Sequence, residues 1–300
     1  MKSQTKAFIY ACAAVLMWST VATAFKIALA RMGFVQLLFY SSAVSTVVLF
    51  LILVFQRKLA SLRKFGWREI GSSAFMGFLN PFLYYLVLFK SYSLLPAQIA
   101  QPLNYSWGVV LVIFSALFLG QKIGARGFVS IFFGFFGVVL IATGGKFGGM
   151  AFDAFGVALG LGSAFIWASY WILNLRNKAD ISLKLFVNFL FGTIFVAGAM
   201  HISGETFLIS LSAGMAAMFV GFFEMGITFV FWLKALKLSE SSARVANLIY
   251  LSPFLSLVFI RNFLGEDIRP ATILGLTLIV AGIIAGNSPI NKNIKPNIIL

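Results

Sequence analysis

Cysteine, histidine and acidic residues are scarce in this sequence. Its 300 residues include one cysteine, Cys12, one histidine, His201, and eight Asp and Glu residues. A disulfide framework and a Cys/His zinc site each need several such residues, so both are excluded. Charged residues make up 10% of the chain, against about 25% in soluble globular domains, which excludes a soluble fold as well.

The sequence is rich in long apolar segments. Hydrophobic residues amount to 61% of the chain, and the mean hydropathy is +0.99. A helix that crosses ~30 Å of hydrocarbon needs ~20 mostly apolar residues. Ten such segments predict an all-α polytopic membrane protein with ten transmembrane helices. They are Ala7–Leu29, Phe34–Phe55, Ile70–Phe89, Ala97–Leu119, Gly127–Thr143, Phe155–Leu175, Leu183–Ile202, Ala213–Leu236, Ala243–Leu264 and Ala271–Ala285.

The basic residues lie mainly in the connections on one side of the predicted membrane. Of the 23 Lys and Arg residues, 17 fall on the side that carries both termini. By the positive-inside rule, both termini of this multi-pass protein are expected in the cytoplasm. The net charge of +15 is then mostly a topology signal, and no nucleic-acid partner is expected. The first segment is read as an uncleaved helix, because it is too long for a signal peptide.

The two halves of the chain resemble one another. Residues Gly77 to Lys90 align with Gly221 to Lys234 at an offset of 144, and further matches continue into the last helix. Trp18 pairs with Trp167 near the start of each half. The matches predict a five-helix repeat at residues 1–145, a second at residues 152–286 and a disordered tail at residues 287–300.

The odd number of helices in each repeat has a geometric consequence. Two consecutive copies of a five-helix unit must enter the membrane in opposite orientations, which produces a 5+5 inverted repeat. This architecture is typical of transporters, because the two halves can exchange conformations and open a central site to alternate sides.

The same residues carry a resemblance to a known family. The chain resembles the EamA-type ten-helix permeases of the drug/metabolite transporter superfamily. The resemblance rests on Trp18-Ser19, Trp167-Ala168, Leu251-Ser252-Pro253, Leu264-Gly265-Glu266 and Ala281-Gly282. It implies a basket-shaped bundle with a central cavity, and a secondary carrier that is most often an exporter of amino acids or other metabolites.

Glu224 is the most informative polar residue. It lies at the centre of the eighth segment and is the only acid at that depth. A charged carboxylate in hydrocarbon costs a few kcal/mol or more unless it is paired, hydrated or protonated. It is either a substrate or proton-coupling group, or a carboxyl that holds the bundle together. Its repeat equivalent is Asn80, expected at a similar depth, and Thr228 follows one turn later.

Two basic residues are further candidates. Lys26 shares a helix face with Ser19 and Thr23. It could meet a substrate carboxylate, or extend to the membrane interface as long basic side chains do. Arg244, one turn into the ninth segment, is either a gate contact or a topology marker.

The fourth segment places Gln98, Gln101 and Tyr105 on one helix face. Proline interrupts helical hydrogen bonding, and such breaks are tolerated in membranes where the backbone lines a cavity. Bends are therefore expected at three prolines, although ordinary transmembrane proline is an equally good reading. They are Pro81, Pro102 and Pro253.

Aromatic residues could complete a central site. Trp167 and its repeat partner Trp18 are the leading candidates, because aromatic faces bind flat or cationic molecules by stacking and cation–π attraction. The alternative is a position at the membrane interface, where Trp and Tyr are enriched. The tyrosines expected to join them are Tyr84, Tyr105 and Tyr250.

Together these residues predict a cavity lined by helices one, three, four, six, eight and nine. The expected function is secondary export of a small polar metabolite such as an amino acid, with a coupling proton as a further ligand. A facilitative channel or a lipid scramblase with the same bundle is the alternative.

An enzyme is not expected, because the embedded residues offer no acid–base pair or nucleophile with a base. No cofactor or metal is expected. The other expected partners are the lipid bilayer and, at most, a second copy in a weak dimer.

Overall fold

The computed structural model describes residues 3–119, 124–146, 151–174, 180–239 and 247–286. Over these ranges it contains eight helices long and apolar enough to cross a membrane, and two shorter apolar helices. The predicted ten-helix, all-α membrane fold is thereby confirmed. We number the helices α1 Gln4–Leu29, α2 Phe34–Phe55, α3 Trp67–Leu94, α4 Ala97–Phe118, α5 Ala125–Thr143, α6 Ala154–Leu173, α7 Ser182–Ile202, α8 Leu211–Leu236, α9 Leu248–Leu264 and α10 Pro270–Ala285. Arg244 and the predicted tail at 287–300 lie outside the described residues.

The helices cross between two faces of the bundle. We call the face at which α1 begins the amino-terminal face, and the face at which α1 ends the opposite face. The connection that follows α9 lies on the opposite face and contains Gly265, which has a positive φ of 67°. Glycine tolerates this left-handed conformation and lets a helix end sharply. Gly144, with φ 61°, ends α5 on the same face in the same way.

Two helices are interrupted at equivalent positions of the repeat. A π-helical segment occupies Phe78–Leu83 in α3, and another occupies Val220–Ile227 in α8. In the first, Asn80 has an extended backbone with φ −149° and ψ 119°. In the second, Glu224 lies near the middle of the segment. Such irregular turns within helices often occur at functional sites, and here each one contains a buried polar residue, Asn80 or Glu224.

Close backbone contacts join α5 to α10. A methyl group added to Gly137 would lie 2.5 Å from the carbonyl oxygen of Gly275, and one added to Gly282 would lie 2.9 Å from that of Ser130. Under the repeat offset of 145, Gly137 is equivalent to Gly282 and Ser130 to Gly275. The two contacts are therefore related by the pseudo-twofold axis of the inverted repeat. Small residues permit this approach, which is a common basis of helix association in membranes.

A second pair of related contacts joins the interrupted helices to their neighbours. Gly221 in α8 packs on α2, where an added methyl group would lie 2.5 Å from the carbonyl oxygen of Ser41. Its repeat equivalent Gly77 in α3 packs in the same manner on Asn188 in α7. Each interrupted helix thus packs against the second helix of the other half.

The equivalent helices α2 and α7 also contact each other. Their contact includes a hydrogen bond of 3.0 Å between the hydroxyl groups of Thr46 and Thr193. At the offset of 147 that relates Ser41 to Asn188, these threonines are repeat equivalents. A contact between equivalent residues must lie close to the pseudo-twofold axis, so this pair marks where the axis passes between α2 and α7.

Salt-bridged loops connect the halves on the amino-terminal face. Lys58 donates to the Asp180 carboxylate at 2.6 Å, and the N–H groups of Ser182 and Leu183 donate to the same carboxylate. Burial alone would raise the pKa of Asp180, but these hydrogen bonds outweigh it and lower the pKa below its usual value. Both charged side chains are more than a third exposed, so the ion pair adds little to stability.

The outward surface of α5 is rich in phenylalanine. A hydrocarbon environment accepts such a surface, whereas water would leave a large apolar patch exposed. Its aromatic face agrees with the assignment of the helix to a membrane. The exposed side chains are Phe128, Phe132, Phe135 and Phe136.

We expect Gly137→Ala to destabilise the protein by about 1–3 kcal/mol, because the added methyl group forces α5 and α10 apart. The measurement is the midpoint of thermal unfolding in detergent, followed by the loss of the monodisperse peak in size-exclusion chromatography. Gly198→Ala is the matched control, since a methyl group there meets no atom within 4 Å. Equal midpoints for the two variants would contradict the close packing of α5 on α10.

Candidate functional site

A central cavity lies between six helices of the bundle. It encloses about 720 Å³ of empty volume, including the part open to its mouth. Its walls come from α1, α3, α4, α6, α8 and α9, which are the six helices expected from the sequence. The lining residues are Trp18, Val21, Phe25, Tyr84, Leu88, Tyr92, Gln101, Asn104, Tyr105, Trp107, Trp167, Trp171, Glu224, Phe229, Trp232 and Ile249.

Aromatic rings dominate the walls of this cavity. Trp167 stacks on Tyr84, with ring centroids 4.6 Å apart and planes 28° from parallel. Trp18, the repeat partner of Trp167, makes edge contacts with Trp232 and Phe229 at 5.5 and 5.8 Å. Phe229 lies 6.1 Å from Trp167 and so connects the two tryptophan clusters. These ring contacts join α1, α3, α6 and α8 into one continuous aromatic wall.

Glu224 places a carboxyl group in the aromatic wall. The side chain is 7% exposed, and the Tyr85 hydroxyl donates to its Oε1 at 3.0 Å. Trp18 is also placed to interact with this carboxyl group. Oε2 is buried and has no hydrogen-bond partner. A buried polar atom without a partner is costly, so Oε2 is available to a proton or to a ligand.

Two neutral polar side chains of the lining also lack partners. Neither the amide nitrogen nor the amide oxygen of Gln101 is hydrogen-bonded, although the residue is 2% exposed. The indole Nε1 of Trp171 is likewise buried without a partner. With Glu224, these groups give the cavity three polar positions whose hydrogen-bonding capacity is not used within the chain.

Asn104, by contrast, is fully engaged in holding the wall together. Its amide oxygen accepts from the Tyr84 hydroxyl at 3.2 Å, and its nitrogen donates to the Ser163 hydroxyl at 2.9 Å. These bonds connect α3, α4 and α6. The network fixes Tyr84 beneath the stacked Trp167, which makes Asn104 a positioning residue of the aromatic wall.

Six of the ten site residues predicted from the sequence line the cavity. The structure brings together Trp18, Tyr84, Gln101, Tyr105, Trp167 and Glu224. The other four lie outside the lining. Thr228 is fully buried and donates to the carbonyl oxygen of Phe223, and Tyr250 is buried beside the lining residue Ile249.

Lys26 lies beyond the end of the cavity at the opposite face. Its Nζ donates to the carbonyl oxygens of Tyr92 and Leu95, both at 3.0 Å. The sequence left a choice between a substrate contact and a position at the interface, and the structure places Lys26 outside the cavity lining, near the helix ends at the opposite face. The ammonium group instead holds the end of α3 against α1.

Asn80 lies away from the lining. It is fully buried, and both polar atoms of its amide lack hydrogen-bond partners. Its segment packs on α7, where Pro81 contacts the backbone at Gly192. The expectation that Asn80 shares a cavity with Glu224 is therefore wrong. That expectation was based on the repeat equivalence of the two residues, but the extended backbone at Asn80 gives the two segments different conformations.

The helix ends around the cavity are held together at the opposite face. The carboxylate of Glu266 accepts from the backbone N–H groups of Ala97 and Gln98, at 2.8 and 3.1 Å. The Gln98 amide in turn donates to the carbonyl oxygen of Asp267 and accepts from the N–H of Arg269. Gln98 therefore belongs to this connection and not to the cavity, although it shares a helix face with Gln101.

Several residues in and around the cavity were not predicted. Tyr85, which is fully buried outside the lining and donates a hydrogen bond to Glu224, follows a predicted tyrosine by one position, and no helical spacing pattern distinguishes it. Asn104 and Trp107 flank Ser106, where the regular helix of α4 is interrupted. Trp232 could have been recognised, because it lies two turns after Glu224. Tryptophan content alone could have indicated most of the aromatic lining, since five of the six tryptophans of the chain line the cavity.

The described residues contain no group of three His, Cys, Asp or Glu side chains that could hold a metal ion. The cavity offers a buried carboxyl, an amide and an indole N–H within walls of aromatic carbon.

Comparisons with known proteins agree with this architecture. The profile of the EamA-like transporter family matches residues 5–143 and again residues 154–286. A protein of Bacillus subtilis (strain 168), named "Uncharacterized transporter YvbV", is 26% identical over 214 residues, which is 70% of this chain and 69% of that protein. A protein of known crystal structure superposes with a TM-score of 0.65 at 22% identity. That alignment covers 94% of this chain and 96% of the other, and it supports the fold.

Single cysteines can test which residues face the cavity, because Cys12 is the one native cysteine. In a Cys12→Ser background, we expect Gln101→Cys and Ile249→Cys to react with a small water-soluble methanethiosulfonate. Thr228→Cys should react at least about tenfold more slowly, because buried sites need local opening to react. Mass spectrometry of the labelled protein gives the rates. Equal labelling of Thr228→Cys and Gln101→Cys would contradict the boundary of the cavity.

Proposed function

This chain belongs to the EamA-like transporter family, and we propose that it is a secondary active carrier of a small polar metabolite. In this proposal the substrate occupies the central cavity and reaches each side of the membrane by alternating access. Amino acids are the representative substrates, and export is the direction we propose. Glu224 is the group that couples movement of the substrate to movement of a proton.

The observation that carries the proposal is the unpartnered Oε2 of Glu224. A carboxyl oxygen that is buried without a hydrogen bond is costly unless something occupies it part of the time. Oε1 is already engaged by Tyr85, so the group is positioned while one oxygen remains free. This is the arrangement expected of a site that binds and releases a proton or a polar ligand.

The pseudo-twofold relation supports alternating access. The interrupted segments Phe78–Leu83 and Val220–Ile227 occupy equivalent positions, and each packs on the second helix of the other half. An inverted repeat can interchange the conformations of its halves, which converts a cavity open to one side of the membrane into an equivalent cavity open to the other side. The bonds of Glu266 to the start of α4 and of Lys26 to the end of α3 would have to open when the site faces the opposite side.

We further propose the bacterial inner membrane as the location and a cytoplasmic position for both termini. The support is the distribution of Lys and Arg, which favours the amino-terminal face by 17 to 6. The cavity is enclosed by helices of one chain, so we propose that a monomer is sufficient for transport. A weak dimer would leave this site unchanged.

We expect Glu224→Gln to reduce proton-driven transport at least about tenfold, a loss of ~1.4 kcal/mol or more in the coupled step. The amide preserves the shape of the side chain but cannot carry the proton. Uptake of labelled substrate into inside-out vesicles, driven by an imposed pH gradient, measures the effect. Immunoblots and size-exclusion profiles should show that the variant is made and folded as the native protein is.

Glu69→Gln serves as the control, because Glu69 is exposed in the first turn of α3 and lies outside the cavity. It should retain native transport and native pH dependence. If Glu224→Gln behaves like Glu69→Gln in both respects, then Glu224 is a packing residue and the proposed coupling role fails.

A further inference from the structure

From the charge and chemistry of the cavity we propose its substrate class. We infer that it binds an aromatic amine in its cationic form, an arylalkylammonium without a free carboxylate. The inference rests on the proposed carrier function and replaces its representative substrate, since an amino acid carries both an ammonium and a carboxylate group and the inferred ligand carries only the ammonium.

Among the described residues of the lining, a single side chain carries a formal charge, and the charge is negative. Glu224 is its carboxylate, and the described residues that line the cavity include no Lys, Arg or His. Lys26, which lies nearest along α1, is held by two backbone carbonyl oxygens outside the lining. A buried ion needs a counter-ion with good geometry. Because the lining supplies none for Glu224, a cationic ligand can take that role.

The walls add a second attraction for a cation. Ten of the sixteen lining residues are Trp, Tyr or Phe. The negative faces of aromatic rings attract ammonium groups, tryptophan most strongly, and such rings recur in sites for amines and quaternary ammonium ions. Trp18 contributes directly, because it borders the Glu224 carboxyl and packs against Trp232 and Phe229. An ammonium ion at Oε2 would therefore also meet an aromatic surface.

The same walls favour a flat apolar body on the substrate. Tyr84 and Trp167 are already stacked, at 4.6 Å between centroids, and they present a broad aromatic surface towards the cavity. An aromatic ring can add to such a stack in offset or edge geometry. An aliphatic polyamine would have too little apolar area to replace the water in a cavity of this composition.

A free carboxylate on the substrate meets no complementary charge. The lining donors that remain open are the amide of Gln101 and the indole N–H of Trp171, and both are neutral. They suit a hydroxyl group, an ester or an amide carbonyl. An anion placed in the same cavity as Glu224 would be repelled by it and would lose its hydration without gaining a cation.

Four ligands that each contain one phenyl ring, but differ in charge, can test this preference. They are 2-phenylethylamine, phenylalaninamide, phenylalanine and 3-phenylpropanoate. We expect the purified full-length protein to bind the two cations at least about tenfold more tightly than phenylalanine, with no measurable binding of the anion. Equilibrium dialysis with radiolabelled ligands at pH 7.5 gives the dissociation constants. Phenylalanine binding as tight as that of phenylalaninamide, or binding of none of the four, would overturn the inference.

Glu224→Gln tests the origin of the preference. It should weaken both cations by about tenfold or more, whereas Glu69→Gln should leave them unchanged. Unfolding midpoints within one or two degrees of the native value establish that Glu224→Gln is folded. As a second variant, Trp18→Leu should weaken the cations, and the exposed Trp67→Leu should not. Unchanged cation affinity in both Glu224→Gln and Trp18→Leu would refute the inference.

Counterflow in proteoliposomes distinguishes this inference from the proposed carrier function. Tight binding of 2-phenylethylamine that depends on Glu224, without counterflow of the labelled amine, would contradict the proposed carrier function but not the inferred ligand class. Saturable counterflow of phenylalanine in preference to the amine would contradict the substrate class and leave the carrier standing. Counterflow of the amine, competed by phenylalaninamide, supports both.

Discussion

The close approach of helix backbones near the pseudo-twofold axis is the constraint on which the rest of the structure depends. At Gly137 and Gly275 the backbones of α5 and α10 come so near that a methyl group would meet a carbonyl oxygen at 2.5 or 2.6 Å. Across α2 and α7, the equivalent residues Thr46 and Thr193 share a hydrogen bond. These two pairs of equivalent helices hold the halves together, and none of the four helices contributes to the cavity. The remaining six are therefore free to surround a space.

The two halves have related backbones, but equivalent positions in them carry side chains of different chemistry. Asn80 and Glu224 lie in equivalent interrupted segments, yet Asn80 is enclosed by packing against α7 and Glu224 faces the cavity. Duplication supplies two related conformations of similar energy, because each half can adopt the conformation of the other. Because Asn80 is neutral and Glu224 is acidic, the described residues of the lining include one charged group. A single ligand charge is then enough to neutralise it in either conformation.

The sequence predicted the parts of this architecture that depend on length and repetition. Hydropathy alone located the ten helices, and the offset between halves implied their inverted arrangement. Six of the ten predicted site residues line the cavity, because residues such as Trp18, Trp167 and Glu224 lie near mid-span, where a polar or aromatic group on a regular helix tends to face the interior. Asn80 was predicted from its repeat equivalence to Glu224, and an equivalent position does not guarantee an equivalent conformation, since the backbone of Asn80 is extended. The two alternatives for Lys26 could not be separated from the sequence, because its partners are backbone carbonyl groups at the end of α3, which no side-chain pattern reveals.

A carboxylate with one free oxygen also accounts for how a carrier of this form could couple two movements. A proton on Oε2, or an ammonium group beside it, neutralises the negative charge of the carboxylate. The two halves can then rearrange without an uncompensated charge in the low-dielectric interior. With neither ligand, the charged carboxylate is uncompensated, and the rearrangement that carries it past the aromatic walls becomes costly. The two ligands exclude one another at a single oxygen because Tyr85 already occupies the other. In the proposed carrier, exchange of a proton for a cation thus requires no second coupling site, and the lone acid of the cavity is sufficient for it.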